Sequence, residues 1–191
     1  RVAKWAIELG SHGLKYVPRT AIKSQALVDY INDWTEMQMP EEKLDNTYWT
    51  IHFDGSRQLE GSGAGVVLTS PQGDKFCYVL WLMFPCTNNA AEYEALLHGL
   101  RVAKEMSLSR VRCLGDSDLV AQQVSGKWDS KDPLMAAYRR EVDAVAGHFK
   151  GYQVEHIDRR KNEAADVLRR LGSQHKSVPP NTFLDVLHNP S

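Results

Sequence analysis

The sequence contains the run Tyr48-Trp49-Thr50-Ile51-His52-Phe53-Asp54-Gly55-Ser56, in which an apolar segment ends in a carboxylate. Alternate positions from Trp49 to Phe53 are apolar, which is the period of two expected for a β-strand with one buried face. Asp54 therefore stands at the end of a predicted strand, directly before a glycine. A carboxylate in this setting is either an ordinary turn residue or a ligand for a divalent cation.

Three further carboxylates stand in comparable settings. Glu92 lies one turn into a predicted helix that opens with Thr87-Asn88-Asn89, Asp116 closes a short apolar strand, and Asp166 stands at the head of the last predicted helix. Each residue alone has an ordinary structural explanation as a turn, a cap or a first-turn acid. Four carboxylates gathered from separate segments can instead hold two divalent cations, which promote in-line attack on a phosphodiester.

The pattern along residues 48–173 predicts one α/β domain. Strands are predicted at 48–54, 61–68 and 75–84, and the turn Pro71-Gln72-Gly73-Asp74 indicates that they form an antiparallel meander. A helix over 89–106, a strand ending at Asp116, two helices, another strand and a closing helix follow. This order predicts a five-stranded mixed sheet flanked by helices.

Five motifs in this order resemble those of type 1 ribonuclease H, over roughly residues 48–172. They are Phe53-Asp54-Gly55-Ser56, Gly61-Ser62-Gly63-Ala64-Gly65, Thr87-Asn88-Asn89-Ala90-Ala91-Glu92, Asp116-Ser117-Asp118 and the segment from Arg159 to Asp166. The motifs are also similar to those of the archaeal-like domain in plant gypsy-type LTR retrotransposon polyproteins. The resemblance implies a ribonuclease H-like fold and an endoribonuclease that hydrolyses the RNA strand of RNA–DNA hybrids.

The same resemblance implies a set of site residues. Two Mg²⁺ ions, replaceable by Mn²⁺, are expected on four carboxylates: Asp54, Glu92, Asp116 and Asp166. Asn88 and Asn89 are expected to read 2′-hydroxyl groups together with Glu92, because this group distinguishes RNA from DNA. Gly55 and Ser56 are expected to let the backbone approach the hybrid.

One segment departs from the pattern of many bacterial members, which carry a histidine on a loop before the last carboxylate. Here the connection is Asp158-Arg159-Arg160-Lys161, and His156 is predicted to lie in the preceding strand with a structural role. Arginine remains protonated at neutral pH and can attract phosphate, but it cannot shuttle protons. Arg159 or Arg160 is therefore the residue expected to assist product release.

Composition agrees with these expectations without establishing them. The chain has 191 residues, 25% of them charged, and a net charge of −1, which is ordinary for a globular domain and lacks the basic surplus usual in nucleic-acid binders. Cys77, Cys86 and Cys113 show no metal-ligand spacing, which favours reduced thiols and an intracellular location, in the cytoplasm or nucleus. No membrane span or secretory signal is predicted.

The flanking segments have separate interpretations. Residues 36–47 are predicted to be a linker and residues 174–191 a docked or disordered tail. Residues 1–35 resemble the tail of a preceding, degenerate ribonuclease H domain, and are equally explained as a helical extension of the main domain. A retroelement polyprotein would add a reverse transcriptase and an integrase as partners.

The same residues are compatible with a second class of function. The rival is a catalytically inactive ribonuclease H-like domain that binds nucleic acid or protein. The glycine-rich segment 61–65 does not fit a dinucleotide-binding loop, because a strand rather than a helix follows it. The segment Asp116-Ser117-Asp118 resembles the nucleophile loop of haloacid-dehalogenase phosphatases, but that family would leave Asp54 unexplained.

Overall fold

The computed structural model describes residues 47–191, so the predictions for residues 1–35 and for nearly all of the linker lie outside the described residues. The described part contains strands and helices in the predicted order, together with one 3-10 helix at Arg159–Lys161. The elements are β1 (Trp49–Arg57), β2 (Ser62–Thr69), β3 (Lys75–Leu82), α1 (Asn88–Glu105), β4 (Arg110–Gly115), α2 (Asp118–Val124), α3 (Pro133–Ala146), β5 (Gly151–His156), α4 (Glu163–Ser173) and β6 (Thr182–Leu187).

The strands form one mixed sheet in the order β5-β4-β1-β2-β3-β6. β1, β2 and β3 are an antiparallel meander, while β4 is parallel to β1 and β5 is parallel to β4. Parallel neighbours require crossover connections, which α1 and the α2–α3 pair supply. The predicted α/β class and the antiparallel first three strands are confirmed.

The prediction of five strands was wrong by one. Residues Thr182–Leu187, predicted as part of a tail, form β6 and pair in parallel with β3. The ring of Phe183 stacks on that of Tyr78 with a centroid distance of 4.9 Å. Because β6 is an edge strand, Phe183, Leu184 and Val186 stay largely exposed, and the segment lacks the clean alternation that marks a strand with one buried face.

Helices cover both faces of the sheet. α1 packs on β1 and β2 and also against α3, and this face holds the larger hydrophobic core, built around side chains such as Ile51, Phe53 and Leu96. α4 covers the other face, where Leu168 packs with Val67 and Val79. No helix among residues 47–191 is both long enough and apolar enough to cross a membrane.

Candidate active site

Three of the four predicted metal ligands converge at one edge of the sheet. One oxygen atom from each of Asp54, Glu92 and Asp116 lies within 4.8 Å of the other two. The parallel pairing of β1 with β4 explains part of this geometry, because Phe53 is the partner of Gly115 and a carboxylate follows each of them in the sequence. Asp54, predicted to end the first strand, lies within β1, which continues to Arg57, whereas Asp116 directly follows β4 as predicted.

Glu92 reaches this edge because α1 lies unusually close to β1. A Cβ atom on Gly55 would lie 2.2 Å from the backbone carbonyl carbon and oxygen of Ala91, so only glycine fits there. The backbone N–H of Gly55 donates a hydrogen bond to the Glu92 carboxylate. Gly55 thus positions a carboxylate, and its predicted contact with substrate stays a prediction.

Burial and neighbouring carboxylates destabilise the charged forms of Asp54 and Glu92. Burial raises the pKa of Asp54 to about 6, with Asp116 and Asp166 adding to the rise and Arg169 opposing it. Burial, followed by the charges of Asp54 and Asp116, raises the pKa of Glu92 well above its ordinary value. Oε2 of Glu92 is buried without a hydrogen-bond partner among the described residues.

These observations fit a divalent cation. Mg²⁺ and Mn²⁺ prefer carboxylate oxygens as ligands, and a cation would offset the mutual repulsion and give Glu92 Oε2 a partner. Asp54, Glu92 and Asp116 are therefore a suitable ligand set for one such ion.

The fourth predicted ligand, Asp166, is bound instead by three arginines. Its Oδ1 accepts hydrogen bonds from Arg159 at 3.1 Å and from Arg169, and its Oδ2 accepts one from Arg170. Burial acts to raise the pKa of Asp166, but the hydrogen bonds from the arginines outweigh it and lower the pKa to about 2. Asp166 is thus ionised and close to the other carboxylates, but it lies outside the group of three.

Arg169 links Asp166 to the rest of the site. Its side chain is only 7% exposed, Nε donates to Oδ2 of Asp54 at 2.8 Å, and Nη1 donates to Oγ of Ser56 at 2.7 Å. Ser56, predicted to lie where the backbone approaches the hybrid, therefore accepts a hydrogen bond from this guanidinium through its hydroxyl. Arg169 was not among the predicted site residues, although its spacing of three residues from Asp166 puts both on one side of α4.

Glycines in β2 allow α4 to lie close enough for these contacts. Gly65 is the strand partner of Asp54. A Cβ atom on Gly65 would lie 2.3 Å from the carbonyl oxygen of Ala165 and 2.5 Å from the backbone nitrogen of Arg169. The alternating glycines of β2 therefore serve helix packing, and this close approach delivers Asp166 and Arg169 to β1.

Asn162 is a second residue that the sequence analysis did not identify as part of the site. It is 1% exposed, and its side-chain amide donates to the carbonyl of Phe53 at 2.9 Å and to Oδ1 of Asp116 at 3.2 Å. An asparagine before a helix usually caps it, but this side chain makes no capping hydrogen bond to α4. Its Nδ2 group holds Asp116, while its Oδ1 is buried without a hydrogen-bond partner among the described residues.

The remaining predicted residues lie around the edge of the site. Arg159 approaches both Asp166 and Asp116, at 3.1 Å and 4.0 Å. Arg160 is exposed, and its backbone N–H donates to Oδ1 of Asp158 at 2.8 Å. Asn88 is exposed at the start of α1, and its Oδ1 accepts from the backbone N–H of Arg57 at 2.7 Å. Asn89 is likewise exposed, and His156 is exposed at the end of β5.

Comparison with known proteins identifies the family. The family described as reverse transcriptase-like matches residues 52–171. Ribonuclease HI of Halobacterium salinarum is 30% identical over 167 residues, which cover 86% of this chain and 80% of that protein. The crystal structure of RNase H1 from Halobacterium salinarum matches with a TM-score of 0.60 and 29% identity, over 66% of this chain and 97% of that one.

A crystal structure of LC11-RNase H1 from compost, in complex with an RNA/DNA hybrid, matches with a TM-score of 0.58 and 25% identity. It covers 66% of this chain and 97% of that chain. These likenesses confirm the predicted ribonuclease H-like fold and the enzyme class. The chain belongs to the ribonuclease H family, among its reverse transcriptase-like members.

Proposed function

We propose that this chain is an endoribonuclease that hydrolyses the RNA strand of RNA–DNA hybrids with two bound Mg²⁺ ions, or Mn²⁺ in their place. The observation that carries the proposal is the convergence of Asp54, Glu92 and Asp116, from three separate segments, within 4.8 Å in a member of the ribonuclease H family. The similar LC11-RNase H1 binds an RNA/DNA hybrid, which supports the choice of substrate.

The residues that would hold the ions divide into two sets. Asp54, Glu92 and Asp116 would hold one ion, and Asp54 would share a second with Asp166. A bound divalent cation supplies Lewis acidity, which activates water for attack and stabilises the charge that develops on the phosphate. The choice of Mg²⁺ and the number of two ions belong to the proposal.

The protein's own groups prepare this site. Asn162 fixes the side chain of Asp116, and the N–H of Gly55 fixes that of Glu92. Arg159 is exposed beside Asp166 and carries a permanent positive charge that attracts the phosphate backbone. Asn88 and Asn89, exposed at the start of α1, would contact 2′-hydroxyl groups of the RNA strand.

A cleavage assay with three substrates tests the proposal. End-labelled RNA–DNA hybrid, duplex RNA and duplex DNA of one sequence are incubated with the full chain and Mg²⁺ or Mn²⁺, with Asp54→Asn as the matched control. We expect internal cleavage of the RNA strand of the hybrid alone, and none by the variant. Equal cleavage by Asp54→Asn, or cleavage of all three substrates, contradicts the proposal.

One observation favours a second candidate, an inactive domain that binds nucleic acid or protein. Arg159, Arg169 and Arg170 already compensate Asp166, so part of the acidic cluster is neutralised without metal. Binding of the hybrid with no cleavage under any divalent ion would support this candidate. The same assay, followed by a binding measurement on the same hybrid, separates the two.

We further propose that the chain derives from a plant gypsy-type LTR retrotransposon polyprotein, of the archaeal-like ribonuclease H subtype. The five motifs in the sequence and the reverse transcriptase-like description of the matching family support this origin. Sequencing of the transcript that encodes the chain tests it. We expect reverse transcriptase and integrase reading frames on the same transcript, and a transcript without them would contradict the proposed origin.

A further inference from the structure

Arg169 holds the two carboxylates that the proposed function assigns to a second ion. Its guanidinium donates to Oδ2 of Asp54 at 2.8 Å and also to Oδ1 of Asp166, and the side chains of all three residues are 6–7% exposed. Two different N–H groups of the guanidinium each contact a different carboxylate. The planar guanidinium of arginine suits this arrangement, and the single ammonium group of lysine does not. The space between Asp54 and Asp166 is therefore occupied by a cation that belongs to the chain.

A guanidinium and a divalent ion compete for this position. Both would use the same carboxylate oxygens, and two positive charges placed together in a buried site repel each other strongly. Arg169 also has a third partner, Oγ of Ser56 at 2.7 Å, which fixes the side chain on β1. In the ligand set of Asp54, Glu92 and Asp116, Arg169 bonds one oxygen of Asp54 and Arg159 approaches Asp116 at 4.0 Å. Glu92 forms no ion pair with an arginine of residues 47–191.

We propose that Arg169 is a built-in competitor of the second ion. The chain binds one divalent cation at Asp54, Glu92 and Asp116, and it binds a second only when Arg169 releases Asp54 and Asp166. This inference rests on the proposed function for the identity of the site. If Arg169 competes in this way, binding of the second ion, rather than of the first, sets the divalent-cation concentration needed for cleavage.

Titration of the metal-free full chain with Mn²⁺ tests the inference without reference to activity. Free Mn²⁺ is followed by electron paramagnetic resonance and the heat of binding by calorimetry. We expect one site in the unmodified chain with a second far weaker, and two measurable sites in Arg169→Met. The second dissociation constant should fall about tenfold or more, the effect expected for removal of one charge-assisted contact.

Arg170→Met is the matched control. Arg170 neighbours Arg169, contacts Asp166 as well, and is 58% exposed, but it is not among the arginines hydrogen-bonded to Asp54. Removal of its charge should leave the second site weak. If Arg170→Met strengthens the second site as much as Arg169→Met does, general charge reduction explains the result and the inference is overturned.

Ser56→Ala changes no charged group. It tests the competition between Arg169 and the second ion even if Arg169→Met does not fold. It removes only the third partner of Arg169, so the second site should tighten by a smaller factor than in Arg169→Met. Two sites of similar affinity in the unmodified chain, or an unchanged second site in Ser56→Ala and in any folded Arg169→Met protein, would overturn the inference.

The two proposals fail in different ways. One bound ion with the expected response of the variants but no hybrid cleavage sinks the proposed function and leaves the role of Arg169 intact. Normal cleavage together with two metal sites of equal affinity overturns the role of Arg169 and leaves the proposed function intact. No Mn²⁺ bound by the unmodified chain sinks both.

Discussion

The side-chain amide of Asn162 donates a hydrogen bond to Oδ1 of Asp116 at 3.2 Å, which ties the start of α4 to the end of β4. The same amide donates to the backbone carbonyl of Phe53 at 2.9 Å, so three segments of the fold meet at one buried group. Asn162 does not belong to the carboxylate group of Asp54, Glu92 and Asp116, but it fixes where one of its members lies.

Asn162→Ala should lower both stability and metal affinity. It leaves the carbonyl of Phe53 without its side-chain donor, and loss of a buried hydrogen-bonded group costs about 1–3 kcal/mol. Asp116 would also be free to rotate away from Asp54. Urea denaturation and Mn²⁺ titration measure the two effects. Asn89→Ala is the control at an exposed position and should change the free energy of unfolding by less than about 0.5 kcal/mol. Equal effects of the two variants would contradict the role of Asn162 in holding Asp116.

Asp116→Asn should abolish cleavage of the hybrid and leave the fold intact. The charge of Asp116 raises the pKa of both Asp54 and Glu92, so its removal relieves repulsion in the metal-free protein. The new amide can still accept the hydrogen bond from Asn162. We expect the free energy of unfolding in EDTA to be unchanged or higher, as measured in urea. A large loss of stability would show that Asp116 acts mainly through structure.

Asp54 gives the metal-free protein a specific dependence on pH. Its pKa is about 6 in the folded protein against 3.8 ordinarily, so between about pH 4 and pH 6 the folded state keeps a proton that the unfolded chain has lost. The contribution of Asp54 to the free energy of unfolding therefore falls as pH rises through this window. Asp166, whose pKa is lowered to about 2, has the opposite effect. Its contribution to the free energy of unfolding is present above about pH 4 and is lost as the pH falls towards 2.

The difference between the unmodified chain and Asp54→Asn isolates this effect. Urea denaturation in EDTA at pH 4.5, 5.5 and 6.5 should show Asp54→Asn gaining stability relative to the unmodified chain as pH rises. Mn²⁺ affinity of the unmodified chain should increase over the same range, because the cation displaces a proton from Asp54. A stability difference independent of pH would argue against the buried, destabilised carboxylate.

Most of the strands and helices, and the gathering of three carboxylates at one site, could be predicted because they depend on local patterns. Period-two alternation predicted a strand that ends at Asp54, whereas β1 continues to Arg57. The parallel pairing of β1 with β4 still places Asp116 beside Asp54. The position of Glu92, one turn into α1, could be predicted because a capping residue marks the start of the helix. The Thr87 hydroxyl accepts a hydrogen bond there from the backbone N–H of Ala90. These features require only the sequence of each element and the usual packing of a mixed sheet.

Arg169 and Asn162 could not be predicted in the same way, because their roles depend on contacts between distant segments. An arginine on a helix is ordinarily solvated, and only the close approach of α4 to β2 turns this one towards Asp54. The glycines of β2 carry that signal, but spacing alone does not say which element fills the space they leave. β6 was missed for a related reason, since its partner β3 is about a hundred residues away in the sequence.

Gly65→Ala tests this close approach. The added Cβ would lie 2.3 Å from the carbonyl oxygen of Ala165, so α4 must move away from β2 and carry Arg169 with it. We expect a loss of roughly 1–3 kcal/mol in the free energy of unfolding, as for overpacking of a core. Gly147→Ala is the control, because its Cβ would meet nothing closer than 3.6 Å and its φ of −60° suits alanine. Similar stability of the two variants, measured in urea, would show that α4 has room to spare.

Arg159, rather than Arg160, should matter for turnover. In each round of hydrolysis the site must release an anionic product, and Arg159 is the arginine of this pair that faces it, with Nη2 3.1 Å from Asp166 and Nε 4.0 Å from Asp116. Its guanidinium stays protonated and can bind phosphate, but it cannot transfer protons. We expect Arg159→Ala to lower turnover about tenfold or more, the loss of one charge-assisted contact of about 1.5–3 kcal/mol.

Two variants serve as controls for this prediction. Arg160→Ala should lower turnover clearly less than Arg159→Ala, and His156→Ala should lower it only in proportion to any lost stability. All three are compared at matched folded fraction with saturating hybrid. A large loss in well-folded His156→Ala, with Arg159→Ala near normal, would transfer the role to the histidine.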